Sequence, residues 1–136
     1  MQTIYAKGGR KTATTRVYLS TIKGEGKIEI NKTPLEKYFT NKINVITVKR
    51  PLEILKTTEG VNPEEAYNIS LFIKGGGTTG QAESARHAIA RALAQLGEPY
   101  KAAMKAEKLL TRDGRQVERK KPGLPKARAT KQWTKR

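Results

Sequence analysis

The sequence predicts an α+β domain in which helices pack on one sheet, followed by a long extended basic tail. Period-two patterns of apolar residues between Thr14 and Lys74 indicate strands. A stripe of apolar residues at helical spacing between Gly80 and Leu96 indicates one long helix. After Leu110 the apolar period is lost, and positive charge accumulates from residue 112, which predicts the tail.

The first strands are predicted from β-branched and aromatic residues. Ile4–Tyr5 begins an extended segment that Gly8–Gly9 interrupts. Residues 14–19 are typical of a strand, and residues 27–30 alternate with period two. Because Gly24–Gly26 forms a turn between these two segments, we expect them to pair as a hairpin.

A short helix is predicted to follow the hairpin. Thr33 stands where a helix cap is expected, Pro34 suits the first helical position, and Glu36 completes a capping box. Residues 41–56 are ambiguous between a strand and short helices, which Pro51 would divide. A polar loop occupies residues 57–65.

The second half contains the clearest periodicities. A half-buried strand is predicted over residues 67–74, with one face formed by Tyr67, Ile69, Leu71 and Ile73, and the run Gly75–Gly77 ends it. The following helix places these residues on one stripe: Ala82, Ala85, Ile89, Ala92, Leu93 and Leu96. Its opposite face carries Glu83, His87 and Arg91, and Gly97 is the predicted C-cap. A second helix is expected over Tyr100–Leu110.

Charge divides the chain into a body, residues 1–111, and a tail, residues 112–136. The whole chain carries a formal net charge of +16. The body has 18 basic and 10 acidic side chains, whereas the 25-residue tail has 10 basic and 2 acidic ones. Each part therefore has a net charge of +8, and the tail has over four times the charge density of the body.

This surplus predicts a polyanionic partner. Nucleic acid is favoured, because each neutralised phosphate releases condensed counterions and raises affinity. An anionic membrane surface is the rival, but the tail lacks the apolar face of an interfacial helix, so no membrane partner is expected. No apolar run approaches 18 residues and no signal sequence precedes the first strand, so we expect a protein of the cytosol or of an organelle interior.

The glycine run Gly75–Gly80 lies between a predicted strand and a predicted helix, where backbone N–H groups can bind a phosphate. A Walker A loop would continue with Gly-Lys-Ser/Thr, whereas this run continues Gly80–Gln81–Ala82. The dinucleotide fingerprint is met formally by the glycines, but the acidic residue expected after a second strand is missing. A nucleic-acid phosphate is therefore the favoured anion, and no cofactor is expected.

Catalytic and metal sites are not predicted. The chain contains no cysteine, and its only histidine, His87, cannot build a metal site alone. We expect that ring to be solvated or to face RNA. Aromatic residues make up only 6% of the chain, which argues against a stacking platform for single strands. Trp133 in the basic tail is the exception, because it is more suited to packing on RNA than on protein.

Motifs distributed over nearly the whole chain resemble one family. They include Gly9–Arg10–Lys11, Gly26–Lys27–Ile28, Pro51–Leu52–Glu53, Lys74–Gly77 with Gly80–Gln81–Ala82, Arg86–His87 with Ile89–Leu93, Leu110–Asp113 with Val117–Lys121, and Lys126–Arg128 before Gln132 and Lys135–Arg136. Their order and spacing resemble ribosomal protein nine of the small subunit, in its bacterial form. Three departures are a longer connection at residues 57–66, Ala129 in place of a frequent Arg, and Trp133 in place of Phe or Tyr.

This resemblance implies a non-enzymatic ribosomal protein with a four-stranded sheet, helices on one face, and the split β-α-β arrangement. It implies a place in the head of the small subunit beside other ribosomal proteins, bound to small-subunit rRNA, with the tail reaching the peptidyl-site tRNA. The expected tRNA-binding residues are Lys135 and Arg136. The expected rRNA-binding residues are Arg10, Lys11, Gly75, Gly76, Gly77, Gly80, Gln81, Arg86, His87, Arg91, Arg112, Arg115, Arg119, Lys120, Lys121, Lys126, Arg128 and Trp133.

Two other classes of protein compete with this interpretation. A nucleotide-dependent small-molecule kinase would bind ATP at Gly75–Gly80, and a thermal-shift assay with nucleotides would reveal it. A histone-like DNA-binding protein, suggested by charge alone, would bind duplex DNA and structured rRNA with comparable affinity at equal salt.

Overall fold

The computed structural model describes residues 3–22, 27–57, 66–116, 119–120 and 122–123. Within these residues the chain is a mixed α+β structure, as predicted, with one sheet and four helices. The elements are, in chain order, β1 (Thr3–Arg10), β2 (Ala13–Ile22), β3 (Ile28–Ile30), β4 (Thr33–Pro34), α1 (Leu35–Tyr38), α2 (Lys42–Thr57), β5 (Ala66–Lys74), α3 (Thr78–Ala94) and α4 (Glu98–Ala106).

The first two strands form the hairpin of the sheet. β1 and β2 pair antiparallel from Thr3 opposite Ser20 to Arg10 opposite Ala13. The predicted interruption at Gly8–Gly9 is wrong, because β1 continues through both glycines. A Cβ atom on Gly8 would lie 2.4 Å from the backbone nitrogen of Ala88. The missing side chain therefore allows α3 to lie directly on the strand.

The predicted pairing between residues 14–19 and 27–30 is also wrong. The strand order is β1-β2-β5-β3-β4, so that β5 lies between β2 and β3. β5 pairs antiparallel with β2 and parallel with β3. The expected turn at Gly24–Gly26 lies outside the described residues. The described sheet has five strands rather than the expected four, because the two-residue β4 pairs with β3; the split β-α-β description stays a prediction.

The capping box predicted at Thr33 is absent. Thr33 lies in β4 opposite Ile30, and α1 begins only at Leu35, with no side-chain hydrogen bond capping it. Glu36 instead forms an ion pair with Lys49, with 3.4 Å between Oε1 and Nζ.

The ambiguous segment after α1 is one helix, α2, that continues through Pro51. The helix continues past the proline because its buried side chains recur at helical spacing: Asn44, Val48, Pro51 and Leu55.

The two clearest predictions are confirmed. β5 buries the expected side chains Tyr67, Ile69, Leu71 and Ile73. α3 buries the predicted stripe from Ala82 to Leu93 against β1 and β2, whereas Leu96, the last predicted member, lies beyond the end of the helix and is half-buried. Gly97 is not the C-cap of α3 but the N-cap of α4, and Gln95 takes the C-cap position. The second helix is confirmed as α4, although it ends at Ala106 rather than Leu110.

The core lies between the sheet and the helices. Alternate residues of β1, β2 and β5 are buried there, together with α3 and the inner sides of α2 and α4. The opposite face of these strands, which we call the open face, carries exposed side chains at Thr3, Tyr5, Lys7, Thr14, Arg16, Tyr18, Phe72 and Lys74 and half-buried ones at Ser20, Asn68 and Ser70. The turn between β1 and β2 and the loop between β5 and α3 meet at one end of the sheet.

Candidate nucleic-acid interface

The glycine loop before α3 lies directly against the β1–β2 turn. Gly75 and Gly76 have φ angles of +80° and +70°, which side chains rarely allow. A Cβ atom would lie 2.7 Å from the Thr12 carbonyl oxygen at Gly75, and 2.9 Å from the Ala13 Cβ at Gly76. Glycine is therefore needed at these two positions, because the backbone has a positive φ there and the loop packs closely on the β1–β2 turn. Gly77 differs, because its Cβ would meet open space.

The N-terminus of α3 opens onto solvent beside this loop. Gly77 is the N-cap and offers no side chain to cap the helix. The Gln81 N–H donates to the Gly77 carbonyl at 2.9 Å, so the N–H groups of residues 78–80 precede the first helical hydrogen bond. Residues 75–79 are exposed. Free N–H groups and the helix dipole give this end a partial positive charge that favours an anion.

A chain of side chains holds the loop in place. The Gln81 amide Nε2 donates to the Gly75 carbonyl at 3.0 Å, and the Tyr38 hydroxyl donates to Gln81 Oε1 at 2.9 Å. Asn31 holds the end of β5 through both its amide nitrogen and its amide oxygen, each 3.1 Å from the Ile73 backbone. Gln81 was predicted as an rRNA contact, but its side chain is used here to position Gly75.

Exposed cations surround the loop. Lys11 in the turn and Lys74 at the end of β5 have no carboxylate within ion-pair distance among the described residues. The Arg112 guanidinium, also exposed, donates to the Lys11 carbonyl at 3.3 Å. We call the surface formed by Lys11, Lys74, Gly75–Thr79 and Arg112 the phosphate cradle; Gly80, which follows it in the first turn of α3, is buried. Its cations have no ion pair among the described residues, and they lie beside the free N–H groups at the start of α3.

Arg10 is placed differently from its neighbour Lys11. Its Nε lies 2.7 Å from Glu83 Oε2, and its Nη2 lies 3.4 Å from Asp113 Oδ2. Its Nη1 also donates to the Arg115 carbonyl at 2.7 Å. Only 11% of the side chain is exposed. Arg10 was predicted to bind rRNA, whereas these contacts fasten the start of the tail to β1 and α3. We call Arg10, Glu83, His87 and Asp113 the tail anchor.

His87 is buried, so the expectation of a solvated or RNA-facing ring is wrong. The residue is 9% exposed, its ring Nδ1 accepts from the Gly9 N–H at 3.4 Å, and its Nε2 lies 3.1 Å from the Leu110 carbonyl oxygen. These partners assign the proton of the neutral ring to Nε2. Burial is the main cause that lowers the pKa of His87, and the nearby positive charges of Arg91, Arg112 and Arg86 lower it further.

Asp113 and Arg115 form the outer part of the fastening. Arg115 Nη2 lies 2.8 Å from Asp113 Oδ2, and the Arg115 N–H donates to Oδ1 at 3.0 Å. The Arg115 side chain holds the pKa of the Asp113 carboxyl well below its usual range, with a smaller contribution from Arg10. Asp113 in turn raises the pKa of Arg115. The charge of Arg115 is thus partly neutralised within the chain.

The other predicted contacts are dispersed. Arg86 is half-buried on α3, and Arg91 Nη1 donates to the Lys7 carbonyl. Arg91 lies thirteen residues along α3 from Thr78, about 20 Å at the rise of a helix, so it is not part of the cradle. Arg119 and Lys120 are exposed. The remaining predicted residues lie outside the described part of the chain: Lys121, Lys126, Arg128, Trp133, Lys135 and Arg136.

Several residues of this end were missed from the sequence. Lys74 directly precedes the glycine run, and that adjacency was the available signal. No local signal indicated Tyr38, because its partner Gln81 is 43 residues away in the chain. The same is true of Glu83, whose partner Arg10 is 73 residues away. Within the described residues no group of three His, Cys, Asp or Glu side chains can hold a metal ion, and no helix is long and apolar enough to span a membrane.

Comparison with known proteins gives the family. Residues 8–136 match the family described as "Ribosomal protein S9/S16". The small ribosomal subunit protein uS9 of Parabacteroides distasonis is 48% identical over 136 residues, which is the full length of both chains. The proteins of the same name from Amoebophilus asiaticus and Porphyromonas gingivalis are 46% and 48% identical, also over both full lengths. The family is one of structural rather than enzymatic proteins, and the predicted resemblance is confirmed: this chain belongs to the ribosomal protein S9 family.

Proposed function

We propose that the chain is a structural constituent of the small ribosomal subunit and binds small-subunit rRNA in the subunit head, supporting translation on the ribosome. The observation that carries the proposal is the phosphate cradle, found in a member of the S9 family. The cradle presents free helix N–H groups and two lysines without ion pairs within the described residues. Neighbouring ribosomal proteins of the head are further partners in this proposal.

The chemistry of the cradle favours a backbone phosphate. Backbone N–H groups and a helix N-terminus bind a phosphate without reading the attached base. Lys11 and Lys74 add charges that a phosphate neutralises with release of counterions. Because Gly77 leaves open space above the first turn of α3, a phosphate oxygen can approach the N–H groups closely.

The tail anchor supports a second part of the proposal. Arg10 bonds to Asp113 and to the Arg115 carbonyl, which fixes where the tail leaves the body. With a net charge of +8, the 25-residue tail extends at most about 80–90 Å from that point. We propose that it runs along rRNA and that its last residues, Lys135 and Arg136, contact the peptidyl-site tRNA.

Sedimentation tests the proposal as a whole. The tagged full-length chain, expressed in a bacterium whose own copy is removed, should co-migrate with small subunits on a sucrose gradient and stay bound at moderate salt. The purified chain should bind small-subunit rRNA in preference to duplex DNA at the same salt concentration. A chain that stays at the top of the gradient, or that binds duplex DNA equally well, would show that the proposal is wrong.

The tail tip has its own experiment. Deleting Lys135 and Arg136 should weaken peptidyl-site binding of all tRNAs alike, since contacts to phosphates do not read bases. Subunit assembly should remain nearly normal, because the body still holds rRNA. Filter binding of several tRNAs to purified small subunits, with and without the two residues, measures this. Unchanged affinity would restrict the tail to an rRNA-binding role.

A further inference from the structure

The open face of the sheet carries a cluster of three aromatic side chains. Tyr5 on β1, Tyr18 on β2 and Phe72 on β5 are 48%, 37% and 38% exposed. The ring centroids of Tyr5 and Tyr18 are 5.3 Å apart, and those of Tyr18 and Phe72 are 5.9 Å apart with an edge-on geometry. Three adjacent strands therefore present one continuous aromatic patch, which the low aromatic content of the sequence does not predict.

Basic side chains border this patch. Strand register places Tyr5 opposite Tyr18, and it places Arg16 between Lys7 and Phe72 in the next row. Lys74 follows two residues after Phe72 and is also exposed. Among the described residues none of these three cations has a carboxylate within ion-pair distance.

Among the described strand residues, one acidic side chain lies on the open face. Glu29 on β3 is exposed and lies beside Ser70, so β5 separates it from Tyr18 and Arg16. The open face is thus aromatic and basic over β1, β2 and the end of β5. This combination decides which kind of partner suits it.

Cross-strand aromatic pairs stabilise sheets by themselves, which explains why the rings touch. It does not explain why three cations that have no ion pair among the described residues lie beside them. An apolar protein surface docked on the rings would strip water from Lys7 and Arg16 without supplying a counter-charge, which is unfavourable. A nucleic-acid strand supplies base faces for the rings and phosphates for the cations.

We propose that the open face binds unpaired nucleotides of RNA, whose bases stack on Tyr5, Tyr18 and Phe72 and whose phosphates contact Lys7, Arg16 and Lys74. The proposal rests on the proposed function, because it assigns part of the rRNA contact to this face. Unpaired nucleotides are required, since a double helix keeps its base faces stacked inside. Lys74 also belongs to the phosphate cradle, so one strand of RNA can run from the open face to the glycine loop.

Matched variants of the full-length chain test this. The triple variant Tyr5→Val, Tyr18→Val, Phe72→Val removes the rings but keeps residues that favour strands. The control Tyr5→Phe, Tyr18→Phe keeps both rings and loses only the hydroxyl groups. Binding is measured to a uridine single strand of about ten nucleotides and to a blunt RNA duplex with the same number of phosphates, which controls for the basic tail.

The valine variant should bind the single strand at least about tenfold more weakly and bind the duplex as the wild type does. Its salt dependence should be unchanged, because no cation is removed. The phenylalanine control should bind both RNAs like the wild type. As a measurement that needs no variant, photo-cross-linking of the wild type to 5-iodouridine in the same strand should label Tyr5, Tyr18 or Phe72.

Three results would overturn the proposal: full single-strand affinity in the valine variant, an equal loss for strand and duplex, or cross-links confined to the tail. If the valine variant keeps its RNA affinity but loses a neighbouring ribosomal protein from small subunits, the face binds protein instead. Failure of the wild type to co-sediment with small subunits would sink the proposed function. Co-sedimentation of the wild type combined with any of the three results would sink only this inference.

Discussion

Arg10 and Lys11 are adjacent in the chain and both are basic, yet they belong to regions of opposite character. Arg10 is nearly buried in the tail anchor, where Glu83 and Asp113 neutralise it. Lys11 is exposed in the phosphate cradle and has no ion pair within the described residues. The two regions show that net charge measures the attraction to a polyanion, whereas the contacts decide which cations are available to it.

The same contrast separates the glycines. Gly8 lies under α3, with the Ala88 nitrogen 2.4 Å from where a Cβ would be, whereas Gly77 in the cradle faces open space. Around Gly8 and Arg10 the backbone is closely packed and the charges are paired within the chain. The phosphate cradle is open to solvent and offers free backbone N–H groups. Variants in the two regions should therefore differ in their effects on stability and on RNA binding.

The largest effect is expected at the closed glycine. Gly8→Ala places a methyl group within 2.8 Å of the backbone at Ser84 and Ala88, so strand and helix must separate. The free energy of unfolding should fall by about 3 kcal/mol or more. Gly77→Ala, at a φ of −92°, should lower it by about 1 kcal/mol or less, because alanine is a poorer N-cap residue than glycine. Urea denaturation of the two variants measures both values. Equal losses of unfolding free energy would contradict the difference between the packed glycine and the open one.

The second effect concerns the tail anchor. Arg10→Gln leaves Glu83 and Asp113 without their shared partner and removes the bond to the Arg115 carbonyl. The unfolding free energy should fall by about 1–2 kcal/mol, a range that allows for the partial exposure of both carboxylates. Amide exchange over residues 112–115 should become faster. Lys11→Gln is the matched control and should leave both quantities nearly unchanged; if it destabilises the fold as much, Lys11 is not a free cation.

The third and smallest effect on stability depends on pH. Burial lowers the pKa of His87 in the folded chain below its unfolded value, so the unfolded chain binds more protons between the two pKa values. The stabilisation by the neutral ring should be complete above about pH 6.5 and decrease as the pH falls towards the lowered folded pKa. Unfolding measured from pH 8 to pH 5 should show this decline in the wild type.

His87 is the only histidine in the chain, so one variant removes its contribution. His87→Gln keeps an N–H donor that can reach the Leu110 carbonyl and should flatten the curve in the neutral range. A curve that keeps the same slope in the variant would assign the pH dependence to other groups and would contradict a buried, neutral ring.

Local periodicity predicted the parts of the fold that depend on local sequence. β5 and α3 have long apolar periods, and both occur where they were expected. The partner of β3 depends on contacts across the chain, because Ile69 and Leu71 of β5 offer it a parallel neighbour about forty residues away. No turn signal reveals that pairing. Pro51 was expected to divide a segment, whereas burial of one side of α2 overrides its helix-breaking tendency.

The sequence likewise predicted only part of the candidate site. The glycine run and its position before a helix followed from residue types alone, and Gly75–Gly80 occurs in that setting. The helical period placed His87 on the polar face, but the segment after α4 covers it through the Leu110 carbonyl. Arg10 was grouped with Lys11 because its partners are 73 and 103 residues distant in the sequence. Pairing at that range is invisible to local patterns.

The salt dependence of rRNA binding tests the phosphate cradle most directly. Lys11→Gln with Lys74→Gln should reduce the magnitude of the slope of log affinity against log salt by about 1.4–1.8, since each phosphate that is no longer neutralised lowers it by about 0.7–0.9. The unfolding free energy should not change. Lys101→Gln with Lys105→Gln, which removes two exposed lysines from α4 outside the cradle, should leave the slope unaltered. An unchanged slope in the first pair, or an equal decrease in both, would contradict a phosphate cradle at this end of the sheet.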